Sequence, residues 1–267
     1  MQNLKHKWAN WMKRTSEVVP NLPSAVSQNP VGTRNQSTRE EWLRETLLRV
    51  PQGSRILDAG AGELKYKPLC AHLEYVSQDF AQYDGQGDGQ GLQTGNWDQT
   101  RLDIVSDIAK IPEPDASFDA AMCVEVLEHV PYPVDALREL ARLLRPGGYL
   151  IITAPFCSLT HMAPYFYQTG YSRYFYEYWL ENLGLNIIDL QYNGNYFEYL
   201  AQEIRRIPQV SNDYAKTQID EQGYLLIKQI LDLLGGLSEK AEGSKEFLCF
   251  GIHIFAQKNP ENEAWLV

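Results

Sequence analysis

Five short apolar runs, each followed by a turn or helix signal, limit what this chain can fold into more than any other feature. They are RILDA (55–59), EYVSQD (74–79), LDIVSD (102–107), FDAAMCV (118–124) and YLIITA (149–154). Between the fourth and fifth, PVDALRELARLLRPGG carries a helical stripe of Val134, Leu137, Leu140, Ala141 and Leu144, stopped by Pro146-Gly147-Gly148. Strands alternating with helices need a parallel sheet joined by right-handed crossovers, which makes the fold class α/β and doubly wound. LNIIDLQY (185–192) reads as a sixth strand and FLCFGIHIFAQ (247–257) as a seventh. The stretch between them is longer than a hairpin needs. Residues 194–246 are therefore expected to form an inserted helical cap, with NYFEYLAQEIRRI and DEQGYLLIKQILDLLGGL as its helices.

Residues 1–37 read as an appendage to a domain spanning 38–267. Leu4, Trp8, Trp11 and Met12 share one helical face among Lys5, Lys7, Lys13 and Arg14, and a Pro- and Ser-rich linker follows. Such a piece serves as a brace docked on the domain or as a peripheral contact with a membrane. STREEWLRETLLRV is expected to be a helix capped by Ser37 or Thr38, with Glu40 or Glu41 closing a capping box. AQYDGQGDGQGLQTGNW (81–97) stands where a crossover helix belongs, yet holds five glycines and no apolar period; a loop is expected, its glycines giving either mobility or close backbone approach.

Composition narrows the function. The 267 residues carry 34 Asp+Glu against 24 Lys+Arg, a formal net charge of −10, which disfavours nucleic acid as partner because phosphate binding needs clustered cations. Cys70, Cys123, Cys157 and Cys249 are scattered without metal-type spacing, as expected of reduced thiols in a cytoplasmic protein. No stretch approaches the roughly 20 apolar residues of a transmembrane helix.

The sharpest motif is ILDAGAGELK, a strand ending in Asp58 that turns through Gly60-Ala61-Gly62 and is expected to enter a helix. Glycines there let backbone pass close to a ligand at the carboxyl edge of an open sheet. A dinucleotide fingerprint would want a small residue where Lys65 stands, and a carboxylate at the strand end suits a cationic amino group better than a pyrophosphate. Asp79 ends the second strand about 20 residues after the turn, where an acid receives ribose hydroxyls. Asp107 and Ile108 follow the third strand, an acceptor for an adenine amino group beside an apolar wall.

These pieces, with FDAAMCVEVLEH and RLLRPGGYLIITAP, make residues 40–192 resemble a class I S-adenosylmethionine-dependent methyltransferase of the type 11 group. The resemblance implies a Rossmann-like seven-stranded sheet whose last strand is antiparallel. It implies Asp58, Gly60 and Gly62 at the methionine moiety, Asp79 at the ribose, Asp107 and Ile108 at the adenine, and Cys123 or Val124 on the cofactor floor. Leu64 departs from the family by standing where a third glycine is common.

Methyl transfer is an in-line displacement that positioning alone can accelerate, but a hydroxyl acceptor must also lose its proton. His129, just past the fourth strand, and His161, just past the fifth, compete as the base. A metal-free histidine base is the first expectation; as the alternative, Glu125, Glu128 and His129 at i, i+3, i+4 would share a face on a helical turn, and with His161 could hold Mg²⁺ or Mn²⁺. This E-x-x-E-H string resembles the metal motif of small-RNA 2′-O-methyltransferases and of ubiquinone-pathway O-methyltransferases. Tyr165, Tyr167, Tyr171 and Arg173 are the expected acceptor contacts, offering flat faces and hydroxyl donors. The leading expectation is methylation of a small-molecule hydroxyl on a saccharide or natural product. The rivals are a metal-assisted RNA 2′-O-methyltransferase and a binding module without turnover.

Overall fold

The computed structural model describes residues 29–260. The amphipathic stretch around Trp8 and Trp11 lies outside them, and with it the expected brace or membrane contact. Seven strands form one sheet: β1 (Arg55–Ala59), β2 (Glu74–Asp79), β3 (Ile104–Val105), β4 (Phe118–Val124), β5 (Leu144–Pro155), β6 (Leu185–Asn193) and β7 (Gly251–Lys258). Their order is β3-β2-β1-β4-β5-β7-β6. β1 runs parallel to β2 and β4, β2 to β3 and β4 to β5, whereas β7 lies antiparallel against β5. The α/β sheet with an antiparallel last strand is thus the one expected. The chain winds outward from β1 to one edge, then returns to lay β4 on its other side. That reversal opens a crevice beyond the carboxyl ends of β1 and β4.

Five α-helices accompany the sheet among the described residues: α1 (Asn35–Leu47), α2 (Pro133–Leu143), α3 (Arg173–Asn182), α4 (Tyr196–Val210) and α5 (Glu221–Ser238). α1 starts two residues before the expected cap. Ser37 lies inside its first turn and donates its hydroxyl to the Arg34 carbonyl at 3.2 Å. Trp42, Leu43 and Leu47 recur at helical spacing and bury against Ile56 of β1, Ala120 and Met122 of β4, Ile151 of β5 and Phe255 of β7. Each such large side chain contributes about 1.5–3 kcal/mol when taken out of water. On α2, Leu137, Leu140 and Ala141 form the buried part of the expected stripe, and Leu144 opens β5.

The chain divides into two compact units, one of residues 39–192 with β7 and one joining residues 29–38 to 193–250. In the second, α4 and α5 are the two helices anticipated between the last strands. Asn195 caps α4 by accepting from the Phe197 and Glu198 amides, and Asp220 caps α5 through the Gly223 amide. Val31, Ala201, Ile227, Leu231 and Leu234 form its core. Arg205 of α4 pins the incoming chain by donating to the carbonyls of Val31 (2.8 Å) and Asn29 (2.5 Å). Among the described residues, no helix is long and apolar enough to cross a membrane.

Candidate active site

Register assembles the first half of the site. Asp58 pairs with Ser77 across β1 and β2, so Tyr75 and Asp79 become its diagonal neighbours on the same face. The Tyr75 hydroxyl donates to Asp58 at 2.5 Å. Asp58 is buried, and that burial pushes its pKa up to about 7, against the hydrogen bond from Tyr75 and with help from the Asp79 charge. Burial likewise raises Asp79.

The glycine turn is tied to these strands by backbone. Gly60 (φ +82°) and Ala61 donate to the Gln78 carbonyl at 2.8 and 2.9 Å. Gly62 (φ +50°) donates to an Asp79 carboxylate oxygen at 2.9 Å. A side chain at Gly60 would meet Val126 at 2.4 Å. Leu64 sits at φ +64°, the left-handed backbone that a third glycine would adopt without strain. Only a short 3₁₀ turn (Lys67–Cys70) follows where a helix was expected.

The other expected cofactor residues are placed differently from one another. Ile108 is buried, whereas Asp107 is exposed and turns its carboxylate to the Ala109 amide at 2.9 Å. Asp58 registers with Met122 of β4, so Cys123 lies on the opposite face of the sheet, fully buried. Two residues from the glycine-rich loop reach the turn instead. Trp97 lies where a Cβ on Gly62 would be 2.9 Å from its ring, and the Gln99 amide donates to Asp79 at 3.2 Å. Neither carries a sequence signal, because the loop has no period. Tyr75 does, since it stands at i−4 to Asp79 on an alternating strand.

The second half lies just past β4 and β5. Glu128, His129 and His161 bring one ligand atom each within 4.8 Å of one another. The Glu128 carboxylate is buried, 3.8 Å from His129 Nε2 and 3.9 Å from His161 Nε2. The two imidazoles meet edge to face with centroids 4.7 Å apart. His129 Nδ1 faces the Tyr165 carbonyl at 2.5 Å and His161 Nδ1 the Leu159 carbonyl at 2.8 Å. Burial, reinforced by His161, pushes the His129 pKa down to about 3.

Glu125 does not join this cluster. Its backbone is left-handed (φ +55°), and only Leu127–His129 form a 3₁₀ turn, so the i, i+3, i+4 face expected of a helix is not built. Its carboxylate accepts instead from the buried Arg39 guanidinium at 2.8 Å and the Thr153 hydroxyl at 2.9 Å.

The aromatic segment supports the cluster largely through its backbone. The Tyr167 and Gln168 amides donate to the Glu128 carbonyl at 2.9 and 3.2 Å. Tyr171 is buried and its hydroxyl donates to the Leu127 carbonyl at 2.7 Å. Tyr165 packs edge-on against Phe80. Arg173 folds over the neighbouring Tyr174 ring at 4.8 Å. Tyr167 presents an exposed ring, and Phe166 stands 5.1 Å from the His161 ring.

Comparison with known proteins bears on the fold and on the central part of the sequence. Residues 57–152 match the family model described as a methyltransferase domain. A ubiquinone biosynthesis O-methyltransferase of Xanthomonas oryzae pv. oryzae (strain PXO99A) is 36% identical over 104 residues, 38% of this chain and 43% of that protein. The mouse tRNA (carboxymethyluridine(34)-5-O)-methyltransferase ALKBH8 is 32% identical over 130 residues, 46% of this chain and 18% of that protein. The chain spans less than half the length of these curated relatives. A SAM-dependent methyltransferase from Archaeoglobus fulgidus shares the fold with a TM-score of 0.52 at 15% identity, over 84% of this chain and 94% of that one. With the sheet order and glycine turn above, the match over residues 57–152 identifies a methyltransferase domain within this chain, built on the class I S-adenosylmethionine-dependent methyltransferase fold.

Proposed function

We propose that this protein transfers the methyl group of S-adenosylmethionine to a hydroxyl of a small-molecule acceptor, at a divalent cation held by Glu128, His129 and His161. The chemistry of that donor set carries the reading. A carbonyl can only accept, so the Nδ1 of each histidine carries a proton, and in the neutral ring that a metal ligand requires Nε2 bears the lone pair. Both lone pairs face the buried Glu128 carboxylate. Three acceptors converging in one place call for a cation among them, and the carbonyl on each Nδ1 is the usual second partner of a metal-bound imidazole. A His129 pKa of about 3 keeps that ring neutral, as a ligand must be, and makes it a weak general base near neutral pH.

On the donor side, Asp58 and Asp79 are carboxylates at the crevice floor, suited to an ammonium group and a ribose diol beside Gly60 and Gly62. When bound, the cation would lower the acceptor hydroxyl's pKa and orient it. Glu128 and His129 contribute rigidity, since the backbone of Tyr165, Tyr167 and Gln168 holds both residues in place. Phe166 and the exposed Tyr167 are the proposed acceptor walls, and a saccharide or natural-product hydroxyl is the proposed acceptor class. The name of the Xanthomonas relative supports O-methylation. The net charge of −10 weighs against RNA as acceptor.

Calorimetry with S-adenosylhomocysteine, together with Mn²⁺ titration followed by electron paramagnetic resonance, tests both halves. Glu128→Gln and His161→Ala should abolish Mn²⁺ binding and leave S-adenosylhomocysteine affinity within about threefold, a change below 0.7 kcal/mol. Undiminished Mn²⁺ affinity in both variants would remove the cation from this site.

A further inference from the structure

The glycine-rich loop touches both halves of the site. At its far end, Leu92 pairs with the strand-like segment at His161: the Leu92 amide donates to the Thr160 carbonyl at 3.0 Å, and the Met162 amide donates to the Leu92 carbonyl at 2.9 Å. The Asp88 amide adds a bond to the Ala163 carbonyl at 3.0 Å. The approach is closer than any side chain allows. A Cβ on Gly87 would lie 1.9 Å from the Ala163 oxygen, and one on Gly91 2.4 Å from the Thr160 oxygen. At its near end, the loop rests on the cofactor turn through Trp97 on Gly62 and Gln99 on Asp79. The loop is closed across its middle as well, since Gly85 accepts from the Thr94 and Gly95 amides and Asp84 from the Trp97 amide.

Asp79 makes the near end sensitive to a ligand. Its two oxygens already accept three hydrogen bonds, from Gly62, Ala81 and Gln99. A carboxylate offers roughly four acceptor positions, so a ribose diol bringing two donors must displace one of the three. Gly62 and Ala81 are backbone amides fixed by the turn. The Gln99 side chain, whose bond is the longest at 3.2 Å, is the one that can leave.

We infer that Gly87, Gly91 and Leu92 are positioning residues that set His161 beside Glu128 and His129, and that Gln99 makes this placement respond to a filled cofactor pocket. The inference rests on the proposed assignment of that pocket to a nucleoside cofactor. Displacement of Gln99 frees the foot of the loop, and the Leu92 pairing carries the change to the His161 segment.

Gly89 provides a matched control. It has the same left-handed backbone (φ +76°) as Gly91 (φ +67°), but no atom lies within 4 Å of its would-be Cβ. The readout is the imidazole signals of the ¹⁵N-labelled full chain, with those of His161 identified by their loss in His161→Gln. S-adenosylhomocysteine should shift the His161 signals in the wild type and in Gly89→Ala. In Gly91→Ala they should be displaced before any ligand is added. In Gln99→Ala they should already stand at the ligand-bound position, and added ligand should move them little. His161 signals that are identical in the wild type and Gly91→Ala would overturn the positioning claim. A wild-type-sized ligand shift in Gln99→Ala would overturn the coupling, and does so even if Gly91→Ala fails to fold. Should S-adenosylhomocysteine not bind the wild type at all, the cofactor assignment and the coupling built on it fall together. The comparison of Gly91→Ala with Gly89→Ala still decides the positioning claim.

Discussion

Asp58 should make cofactor binding a proton-releasing event. Burial pushes its pKa from 3.8 up to about 7, a preference of about 4 kcal/mol for the neutral acid before a cation binds. An ammonium group seated against Asp58 demands the carboxylate, so binding below about pH 7 must first expel a proton. Apparent affinity for S-adenosylhomocysteine should therefore fall about tenfold per pH unit below that point and level off above it. Titration calorimetry in two buffers of different ionisation heat, at about pH 6 and about pH 8, reads the linkage directly: close to one proton released at the lower pH and close to none at the higher. The Tyr75 hydrogen bond lowers the Asp58 pKa, so Tyr75→Phe should move the midpoint upward. An affinity that is flat across this range, with no proton exchange, would refute the role given to Asp58.

The same group shapes stability, and His253 opposes it. Between 3.8 and about 7 the folded chain keeps a proton on Asp58 that the unfolded chain has lost, so this contribution weakens stability as pH rises through that window. His253 is buried against Trp42, and burial, with Arg39 nearby, holds its pKa at about 3 rather than 6.5. The unfolded chain therefore takes a proton that the folded one refuses, and stability is lost as pH falls from 6.5 toward 3, by about 2 kcal/mol at pH 5. His129, also held at about 3 by burial, adds a slope of the same sign as His253. Relative to the wild type, urea midpoints should rise more steeply with pH in Asp58→Asn and less steeply in His253→Phe; equal slopes in both variants would count against these assignments. Arg39→Met leaves the partly covered Glu125 carboxylate with Thr153 as its remaining side-chain partner among the bonds described above. It should cost about 2–4 kcal/mol by denaturant titration, less than a fully buried pair would.

The strands and the glycine turn were legible because each rests on a local rule. Apolar runs bounded by turn residues located six strands closely, and the third shrank to Ile104–Val105. Asp58 and Asp79 followed from strand ends, which the sheet must deliver to one edge. What failed needed backbone conformations that spacing does not encode. The E-x-x-E-H string supposes a continuous helical turn, but the left-handed Glu125 swings its carboxylate to Arg39, 86 residues earlier. Asp107 stands just past β3 as its spacing implied, and one of its carboxylate oxygens accepts from the Ala109 amide. Five glycines without period signalled either freedom or contact; Gly87 and Gly91 are there for contact, with backbone that lies far off in sequence.

Three buried acids stand at the carboxyl edge of one sheet, Asp58 and Asp79 at the ends of β1 and β2 and Glu128 just past β4. Burial of a carboxylate is costly in an empty protein, and a fold selected only for stability would replace each with an apolar side chain of similar volume. On the proposed reading, an ammonium group would balance Asp58, a divalent ion Glu128, and a ribose diol would bond to Asp79. The net charge of −10 draws such cations toward the molecule, but charge spread over the surface cannot say where they settle. Burial does, because an acid that water solvates gains little from a bound cation, whereas one held away from water gains much. On the proposed function, therefore, the buried carboxylates rather than the overall acidity mark where the donor and the activated hydroxyl would meet.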